Sequence, residues 1–332
     1  MLAKNDAVAL LNELGAKHQP FSFYCDFLGT NWSIASCNEE AQHSPFKLEI
    51  AKSYPQQDWQ KADQHLKDEN AQNIHFKKNP VNFQAFEEQF QYVKDQINFG
   101  NSFLTNLTFE TPISSPYSLE EIFDLTNAKY KLLVPKKFVV FSPETFVKIE
   151  QDQIFSYPMK GTLDASVQDA EALLLGDKKE MAEHVTIVDL IRNDLSQIAR
   201  DVQVTKFRYI ERIKTNTKDL LQVSSKIQGK LGENWKANIG SILAKLLPAG
   251  SISGAPKPET VRIIKKAETY DRHFFTGICG HFDGDSLNSG VMIRFIKQQN
   301  DNLIYCSGGG ITSHSKPEKE YQEMIDKVYL PI

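Results

Sequence analysis

The alternation of apolar and polar positions predicts a series of strands and helices. Residues 21–36 (FSFYCDFLGTNWSIAS) alternate between the two classes and are rich in aromatic side chains, as strands are. In residues 83–100 (FQAFEEQFQYVKDQINFG) apolar side chains recur every three or four positions, which indicates a helix that ends at Gly100. Residues 101–111 (NSFLTNLTFET) predict a further strand. Strands and helices alternate irregularly with several adjacent strand pairs, so an α+β layered fold is favoured over a doubly wound one.

Composition narrows the class of protein without identifying it. A chain of 332 residues with net charge −4 lacks the excess of basic residues that is typical of nucleic-acid-binding proteins. No apolar run approaches the roughly 18 residues of a membrane helix, and the N-terminal stretch MLAKNDAVALLNELG lacks the apolar core of a signal peptide. The four cysteines show no metal-binding spacing, so free thiols and a cytoplasmic location are expected. The polar residues 53–78 predict a loop or an exposed helix.

Residues 145–150 and 154–157 read as two strands of a hairpin around a polar turn at Asp152. Glu144 lies eight residues before Asp152 and Lys160 lies eight residues after it. Antiparallel pairing returns both side chains to one end of the hairpin, where an acid and an amine can face one substrate. The alternative is a salt bridge at the edge of the sheet, worth about 0–1 kcal/mol.

Lys160 itself lies in the stretch YPMKGT, between an apolar approach and a sharp turn. Apolar neighbours that exclude water disfavour the ammonium form and supply the free amine that a nucleophile needs. The alternative is an ordinary solvated lysine, because most lysines lie on the surface.

Residues 178–195 (KKEMAEHVTIVDLIRNDL) predict a helix that is apolar on most sides and therefore buried, with Met181 and Val185 on one face. Glu183 lies on this helix, and a buried carboxylate needs a cation. That cation could be Arg192 or a distant lysine in a purely structural salt bridge, or a metal ion.

The stretch SKPEKEYQEMIDKVYL near the C-terminus predicts a second acidic helix. Ser315 and Glu318 have the spacing of a capping box, and Glu320 and Glu323 share a face. Two such helices could hold Mg²⁺ through a few carboxylates. The alternative is a solvated acidic helix end that the helix dipole favours.

Two glycine-rich segments suggest close approach of the backbone to an anionic ligand. Residues 246–260 form a small-residue loop that runs into a helix near Pro258, and residues 304–313 form a strand followed by three glycines. Between them, Arg294 lies in an apolar strand, like a buried carboxylate clamp. Turn glycines and an edge-strand arginine are the alternative. No GxGxxG or Walker pattern occurs, so neither a dinucleotide nor ATP is expected.

Together these segments resemble the chorismate-utilising enzymes. The motifs that carry the resemblance occur in the family's order: PMKGT, EMAEHVTIVDLIRNDL, LPAGSISGAPKPETVRII, GICGHF, VMIRFI, SGGGI and EYQEMIDKV. The match spans roughly residues 85–332. The resemblance implies an α+β fold of two β-sheets packed face to face with helices outside. Residues 1–80 are then a divergent N-terminal part of a single domain, and residues 81–332 are its chorismate-binding catalytic region.

Within this family the residue at position 160 separates the activities. Anthranilate synthases carry alanine there (PIAGT), whereas aminodeoxychorismate synthase component I carries lysine (PIKGT). The resemblance implies that Lys160 attacks C2 of chorismate while Glu144 protonates the departing C4 hydroxyl, and that ammonia then adds at C4. The alternatives are anthranilate or isochorismate synthesis on the same scaffold, or a catalytically silent paralogue that binds chorismate.

The resemblance also implies the remaining roles. Glu183, Glu320 and Glu323 match the glutamates of a Mg²⁺ site. Substrate-binding roles fall on Arg294, Gly308, Gly309, Gly310, Ser251, Thr162, Phe275 and Lys327. Two positions depart from the family: Leu221 stands where a histidine is usual, and Phe275 stands where relatives have tyrosine or tryptophan. The sequence has no glutamine-hydrolysing signature, so ammonia is expected from solution or from a separate glutamine amidotransferase subunit.

Overall fold

The computed structural model describes residues 1–36, 44–51, 76–214 and 219–330. Most of the polar stretch 53–78, predicted as a loop or an exposed helix, therefore lies outside the described residues, and so does Cys37. None of the helices in the described ranges is long and apolar enough to cross a membrane.

The described part of the chain contains eight α-helices. They are α1 (Lys4–Ala16), α2 (Phe83–Asn98), α3 (Leu119–Leu125), α4 (Ala170–Gly176), α5 (Lys178–Ser196), α6 (Ile239–Leu246), α7 (Lys257–Ala267) and α8 (Pro317–Asp326). The predicted helix over residues 83–100 is α2. Its four buried side chains, Phe86, Phe90, Val93 and Ile97, recur at the predicted spacing. Asn82 caps its N-terminus by accepting from the Ala85 amide at 2.9 Å.

The strands lie in two antiparallel sheets, counted over the described residues. The strands are β1 (Leu2–Ala3), β2 (Phe21–Cys25), β3 (Asn31–Ser36), β4 (Lys47–Ile50), β5 (Lys77–Lys78), β6 (Leu104–Ser114), β7 (Tyr130–Val134), β8 (Phe138–Ser142), β9 (Thr145–Glu150), β10 (Gln153–Ser156), β11 (Met159–Asp164), β12 (Arg200–Lys214), β13 (Asp219–Lys230), β14 (Gly254–Ala255), β15 (Ile278–Phe282), β16 (Leu287–Val291), β17 (Phe295–Gln299) and β18 (Asn302–Ile311). One sheet has ten strands in the order β1-β3-β2-β15-β16-β9-β10-β13-β11, with β12 paired to β13. The other has eight strands in the order β14-β6-β18-β17-β8-β7-β4, with β5 paired to β6.

The two sheets pack face to face, as predicted. Tyr24 and Cys279 from the ten-stranded sheet share a buried cluster with Leu132, Val140 and Phe295 from the eight-stranded sheet. Aromatic contacts continue this interface, because the Tyr24 and Phe138 rings meet edge to face at 5.7 Å. The predicted α+β fold of two packed sheets is confirmed.

The helices lie outside the sheets. Leu11 of α1, Ile191 of α5 and Leu243 of α6 pack on the ten-stranded sheet in one continuous core. Helices α2, α7 and α8 cover β6 and β18 with a second cluster that includes Phe86 and Met324. Burial of these apolar faces is the main driving force that holds each helix on its sheet.

The predicted hairpin is β9–β10, and its turn at residues 151–152 matches the sequence interpretation, with Ile149 paired to Ile154. The preceding strand, β8, pairs with β7 and β17 in the eight-stranded sheet, whereas β9 pairs with β16 in the ten-stranded sheet. The chain therefore crosses from one sheet to the other at residues 143–144. This crossing places Glu144 at the junction of the two sheets.

Two helix predictions need correction. Helix α5 is not buried all round, because Met181 and Val185 are exposed. Helix α8 begins without the predicted capping box: its N-cap is Lys316, with no side-chain hydrogen bond. Ser315 instead accepts a hydrogen bond from the Thr312 amide at 3.1 Å. The proline at the first position of α8 leaves one fewer amide to cap.

Two strand predictions also need correction. The three glycines at residues 308–310 do not follow a strand but lie inside β18, paired with residues 106–108 of β6. Arg294 does not lie in a strand but in the connection between β16 and β17, with φ of 55°. A positive φ is uncommon for a residue with a side chain and is concentrated at functional sites.

Candidate active site

A cavity of about 250 Å³ lies where the two sheets meet, beside β11 and β18. It collects most of the predicted site residues from segments that are far apart in sequence. The predicted residues that line it are Glu144, Lys160, Thr162, Ser251, Phe275, Arg294, Gly308, Gly309, Gly310, Glu323 and Lys327. Glu183 and Glu320 do not line the cavity but stand directly behind its wall, as described below.

Lys160 projects from β11, which pairs with β13 and shifts its register between Lys160 and Thr162. Its Nζ lies 3.7 Å from Oε2 of Glu183, so the cation that was expected near Glu183 is Lys160. Arg192, the other predicted partner, instead pairs with Asp189 at 3.0 Å. The amine of Lys160 therefore lies at the wall of the cavity, next to a buried carboxylate.

Gly310 leaves the space into which Lys160 extends. A Cβ atom at position 310 would lie 3.3 Å from the Lys160 Nζ and 3.0 Å from Cδ1 of Leu104. The glycine therefore matters for the access of the amine to the cavity, in addition to any contact of its backbone with substrate.

Glu144 is held at the crossing between the sheets by Ser251, whose hydroxyl donates a hydrogen bond to Oε1 of Glu144. Burial raises the pKa of the Glu144 carboxyl above its ordinary value. The Ser251 hydrogen bond and the positive charges of Lys160, Arg294 and Lys327 oppose this rise without cancelling it. A carboxylic acid whose pKa is raised towards neutrality is suited to donate a proton.

Arg294 presents a permanent positive charge to the cavity. Burial alone would lower its pKa, but Tyr305, Tyr329 and Glu144 raise it above the ordinary value, so the guanidinium stays charged. The guanidinium lies over the Tyr329 ring, with its carbon 5.6 Å from the ring centroid. This setting orients a planar donor that suits a carboxylate.

Helix α8 brings two carboxylates and an amine to the glycine strand. A Cβ at Gly309 would lie 3.6 Å from Oε2 of Glu320 and 3.6 Å from Oε1 of Glu323. It would lie 3.7 Å from Nζ of Lys327. Lys327 bonds Glu323 at 2.6 Å and donates to the Gly308 carbonyl at 2.8 Å. Burial lowers the pKa of Lys327, and Glu323 opposes that change.

The predicted Mg²⁺ ligands fit the metal in type. Glu183 and Glu320 are nearly buried, and Glu323 stands beside Gly309, so the three offer the carboxylate oxygens that Mg²⁺ prefers. As arranged in residues 1–36, 44–51, 76–214 and 219–330, no three His, Cys, Asp or Glu side chains form a closed metal cluster. The donors therefore fit a metal in type but do not converge on one point in this arrangement, in which Lys160 contacts Glu183 and Lys327 contacts Glu323.

Glu180, which the sequence interpretation did not single out, lies next to the candidate site. Its Oε2 would lie 3.3 Å from a Cβ at Gly161, beside Lys160. Glu180 precedes Glu183 by three positions on α5, the same spacing as Glu320 and Glu323 on α8. That shared spacing was visible in the sequence and could have identified the residue.

Leu221, which stands where the family usually has a histidine, lies in the core. Leu221 does not line the cavity but packs in a buried cluster with Ala170, Leu174 and Val223. Its neighbour Gln222 lines the cavity, opposite Thr162 in the pairing of β11 with β13. Adjacent residues of a strand face opposite sides, so a shift of one position exchanges a core side chain for a cavity side chain. The cavity therefore carries an amide at this point.

A buried ion pair supports the far side of the cavity. Arg272 and Glu268 are almost completely buried and pair at 2.6 Å. Arg272 also donates to the carbonyls of Ile252 and Asn106, and Glu268 accepts from the Thr108 amide. The sequence interpretation missed this pair, which ties two cavity-lining backbone segments together, β6 and the turn at Ile252.

Comparison with known proteins assigns the family. The model of the chorismate binding enzyme family matches residues 6–331, further towards the N-terminus than the motifs alone. An uncharacterized PabA-like protein of Haemophilus influenzae is 55% identical over 259 residues, covering 78% of this chain and 79% of its own. An uncharacterized PabA-like protein of Pasteurella multocida is 48% identical over 321 residues, 97% of each chain.

Solved structures share the fold. MenF, the menaquinone-specific isochorismate synthase of Escherichia coli, superposes with a TM-score of 0.73 at 16% identity, covering 98% of this chain and 81% of its own. A likeness at this identity speaks for the fold alone. The two-sheet architecture and the cavity agree with the family match. The chain therefore belongs to the chorismate binding enzymes.

Proposed function

We propose that this protein is the chorismate-aminating component of an aminodeoxychorismate synthase, which converts chorismate and ammonia into 4-amino-4-deoxychorismate and water. The observation that carries the proposal is the meeting of Lys160 and Glu144 in one cavity that also contains Arg294. A nucleophilic amine, an acid and a carboxylate clamp are the groups that this substitution requires.

In the first step, the free amine of Lys160 forms a bond to C2 of chorismate. The two conjugated ring double bonds shift and the C4–O bond breaks, with the electron pair leaving on oxygen. Glu144 donates the proton that lets this oxygen depart as water. The raised pKa of Glu144 supports this role, because a carboxyl group whose pKa is raised by burial keeps its proton to higher pH than an ordinary glutamate.

In the second step, ammonia forms a bond to C4, the two double bonds shift back, and the C2–N bond to Lys160 breaks. The electron pair of that bond returns to the lysine nitrogen. The proton lost by the former ammonia nitrogen restores Glu144. The sum is chorismate plus ammonia giving aminodeoxychorismate plus water, with the enzyme regenerated.

Binding uses both walls of the cavity. Arg294 supplies a charged donor for one carboxylate of chorismate, and the open backbone of residues 308–310 supplies amides and close approach. Glu183, Glu320 and Glu323 would hold Mg²⁺, which when bound supplies positive charge against the ring carboxylate.

Ammonia reaches the reaction from solution or from a separate glutamine amidotransferase subunit, and we place the protein in the cytoplasm. The names of the Haemophilus and Pasteurella relatives support a link to para-aminobenzoate formation.

Product analysis tests the proposal. The protein is incubated with chorismate, Mg²⁺ and ammonium, and the products are separated and identified by mass. Aminodeoxychorismate as the main product is the expected result. Anthranilate or isochorismate as the main product would refute the assignment of Lys160. Bound but unconverted chorismate would identify a catalytically silent binding protein.

A further inference from the structure

Asn106 carries an unpaired polar atom at the wall of the cavity. The residue lies on β6 and is one of those that line the cavity. Its side-chain oxygen Oδ1 is buried and has no hydrogen-bond partner among the described residues. A buried acceptor without a donor is costly in free energy. An acceptor of this kind at a cavity wall therefore indicates that a bound ligand supplies the missing donor.

The hydroxyl groups around Asn106 differ from it, because the protein already uses them. Five of the hydroxyl side chains that line the cavity donate their proton to a protein oxygen: Thr108 to Glu268, Ser251 to Glu144, Ser253 to the Ala249 carbonyl, Thr276 to the Phe275 carbonyl and Ser307 to the Met324 carbonyl. These hydroxyl groups hold the cavity together. The side-chain oxygen of Asn106 is open to a different role.

The backbone of Asn106 is held on both sides. Its amide donates to the Ser253 carbonyl at 2.9 Å, and its carbonyl accepts from the guanidinium of Arg272 at 2.7 Å. Arg272 is itself fixed by the buried ion pair with Glu268. The side chain therefore starts from a firmly placed backbone, and such preorganisation lowers the cost of binding a ligand.

Asn106 lies beside the reactive amine. It pairs with Gly310 in the ladder between β6 and β18, and side chains at paired positions lie on the same face of a sheet. A Cβ at Gly310 would lie 3.3 Å from Nζ of Lys160, so the Asn106 carboxamide and the amine share this face. In the proposed reaction Lys160 bonds to C2, and the nucleophile attacks C4, which is only one ring carbon further. A ligand bound at Asn106 is therefore close to C4.

The missing donor identifies this ligand. Chorismate carries two carboxylates, an ether oxygen and one hydroxyl group, so it offers one hydrogen-bond donor, and that group is the one that leaves. Ammonia offers three N–H donors and one lone pair. Because the lone pair must face C4 during attack, the N–H bonds point away from the ring and need acceptors in the cavity wall.

We infer that Asn106 binds the incoming ammonia: Oδ1 accepts one N–H bond and so directs the nitrogen lone pair at C4. This inference rests on the proposed function. The lone pair forms the new bond to C4, and the C2–N bond breaks and returns its electron pair to Lys160. The proton released by the new amine goes to Glu144 and not to Asn106, because a carboxamide oxygen accepts hydrogen bonds without acting as a base.

The first experiment removes the acceptor. Asn106→Leu keeps the size of the side chain and is compared with wild type and with Asn101→Leu. Asn101 is the matched control, since its side chain bonds Gln96 at 2.8 Å and it is not among the residues that line the cavity. Rates are measured against ammonium at saturating chorismate, and against chorismate at saturating ammonium. Asn106→Leu should lower kcat/KM for ammonium about ten-fold and leave the KM for chorismate nearly unchanged. The control should change neither.

The second experiment follows the first chemical step alone. Without ammonium, the departure of water from C4 can only reverse, so water labelled with heavy oxygen should place its label in the hydroxyl group of chorismate. This exchange needs Lys160 and Glu144 but no ammonia. Asn106→Leu should exchange at the wild-type rate, whereas Lys160→Ala should not exchange. The mass of recovered chorismate measures the label.

The outcomes separate the inference from the proposed function. If wild type makes no aminodeoxychorismate with ammonium, the proposed function fails. If it does, and Asn106→Leu uses ammonium as well as wild type, Asn106 does not bind ammonia. A parallel loss of exchange and of ammonium use would assign Asn106 to Lys160 or to chorismate, and would also overturn the inference. Asn106→Ala is measured alongside, with thermal unfolding of both variants. It should show the same selective loss, which keeps the test decisive if the leucine variant does not fold.

Discussion

The two walls of the cavity are built in different ways. The wall from the ten-stranded sheet carries Lys160 on β11, a strand at the end of the sheet's path with a register shift beside the lysine. The wall from the eight-stranded sheet carries the glycines of β18, which pair with β6 in a register that runs without a shift from Leu303 to Ile311, while β17 pairs only with residues 302–306. A continuous ladder is held more firmly than one that is interrupted beside the functional side chain.

This difference suggests that the two walls have different roles in the reaction. The firmly held wall offers backbone amides, Arg294 and the α8 carboxylates, which would bind and orient chorismate. The terminal strand carries the amine that must form and break a bond and adjust between two steps. The experiments below test whether the walls separate in this way, so that changes in one affect turnover and changes in the other affect binding.

The largest effect is expected from Lys160→Ala. Formation of aminodeoxychorismate should fall by at least about 10³-fold, because the covalent route is lost. Chorismate should still bind, since Arg294 and the backbone of residues 308–310 do not depend on the amine. The variant should also form some anthranilate, because ammonia can then attack C2 directly. Product mass analysis and equilibrium binding measure these effects.

Lys160→Arg is the companion variant and should be less active than Lys160→Ala, because the guanidinium is larger and permanently charged. Aminodeoxychorismate formed by Lys160→Ala at the wild-type rate would show that the lysine has only a structural role.

Glu144→Gln should lower kcat by about 10²–10⁴-fold with little change in chorismate binding, because it removes the proton donor and keeps the shape. In the wild type, the acid must be protonated, so the rate should fall as pH rises through the raised pKa of Glu144. Ser251→Ala removes a hydrogen bond that lowers this pKa, so it should move the fall to higher pH. A pH profile of kcat measures the shift, and a profile that moves to lower pH would contradict the assignment.

Changes at the acidic site should act through Mg²⁺. Glu183→Gln or Glu323→Gln should lower activity by about 10–100-fold at low Mg²⁺, with partial recovery at high Mg²⁺. Calorimetric titration of Mg²⁺ should show weaker binding for both. Glu318→Gln, on the exposed side of α8, is the matched control and should match wild type. Full wild-type activity in excess chelator would exclude the site.

The smallest effect on turnover is expected in the glycine strand. A Cβ at Gly309 meets its neighbours at ordinary contact distance, so Gly309→Ala should fold normally and raise the KM for chorismate about two- to ten-fold. A Cβ at Gly308 would lie 2.2 Å from the Leu107 carbonyl oxygen, so Gly308→Ala should cost about 1–3 kcal/mol of folding stability. Thermal unfolding and steady-state kinetics distinguish the two. Equal loss of stability in both variants would show that the strand serves packing alone.

Local sequence patterns predicted the elements that depend on neighbouring residues. The apolar spacing in α2 and the polar turn of the β9–β10 hairpin depend on contacts within one segment, and the structure has both. The motif PMKGT identified Lys160 as a candidate nucleophile, because it places an amine between apolar residues and a sharp turn. The family's motifs also predicted the packing of two sheets.

What only the tertiary structure decided is how distant segments face one another. The side of β13 that meets the cavity depends on its register with β11, and this register puts Gln222 in the cavity and Leu221 in the core. The partner of Glu183 depends on where β11 crosses α5, which makes it Lys160 and not Arg192. A one-residue shift or a helix rotation is invisible in a local pattern, because both registers satisfy the same alternation of apolar and polar side chains. Long-range packing selects between them.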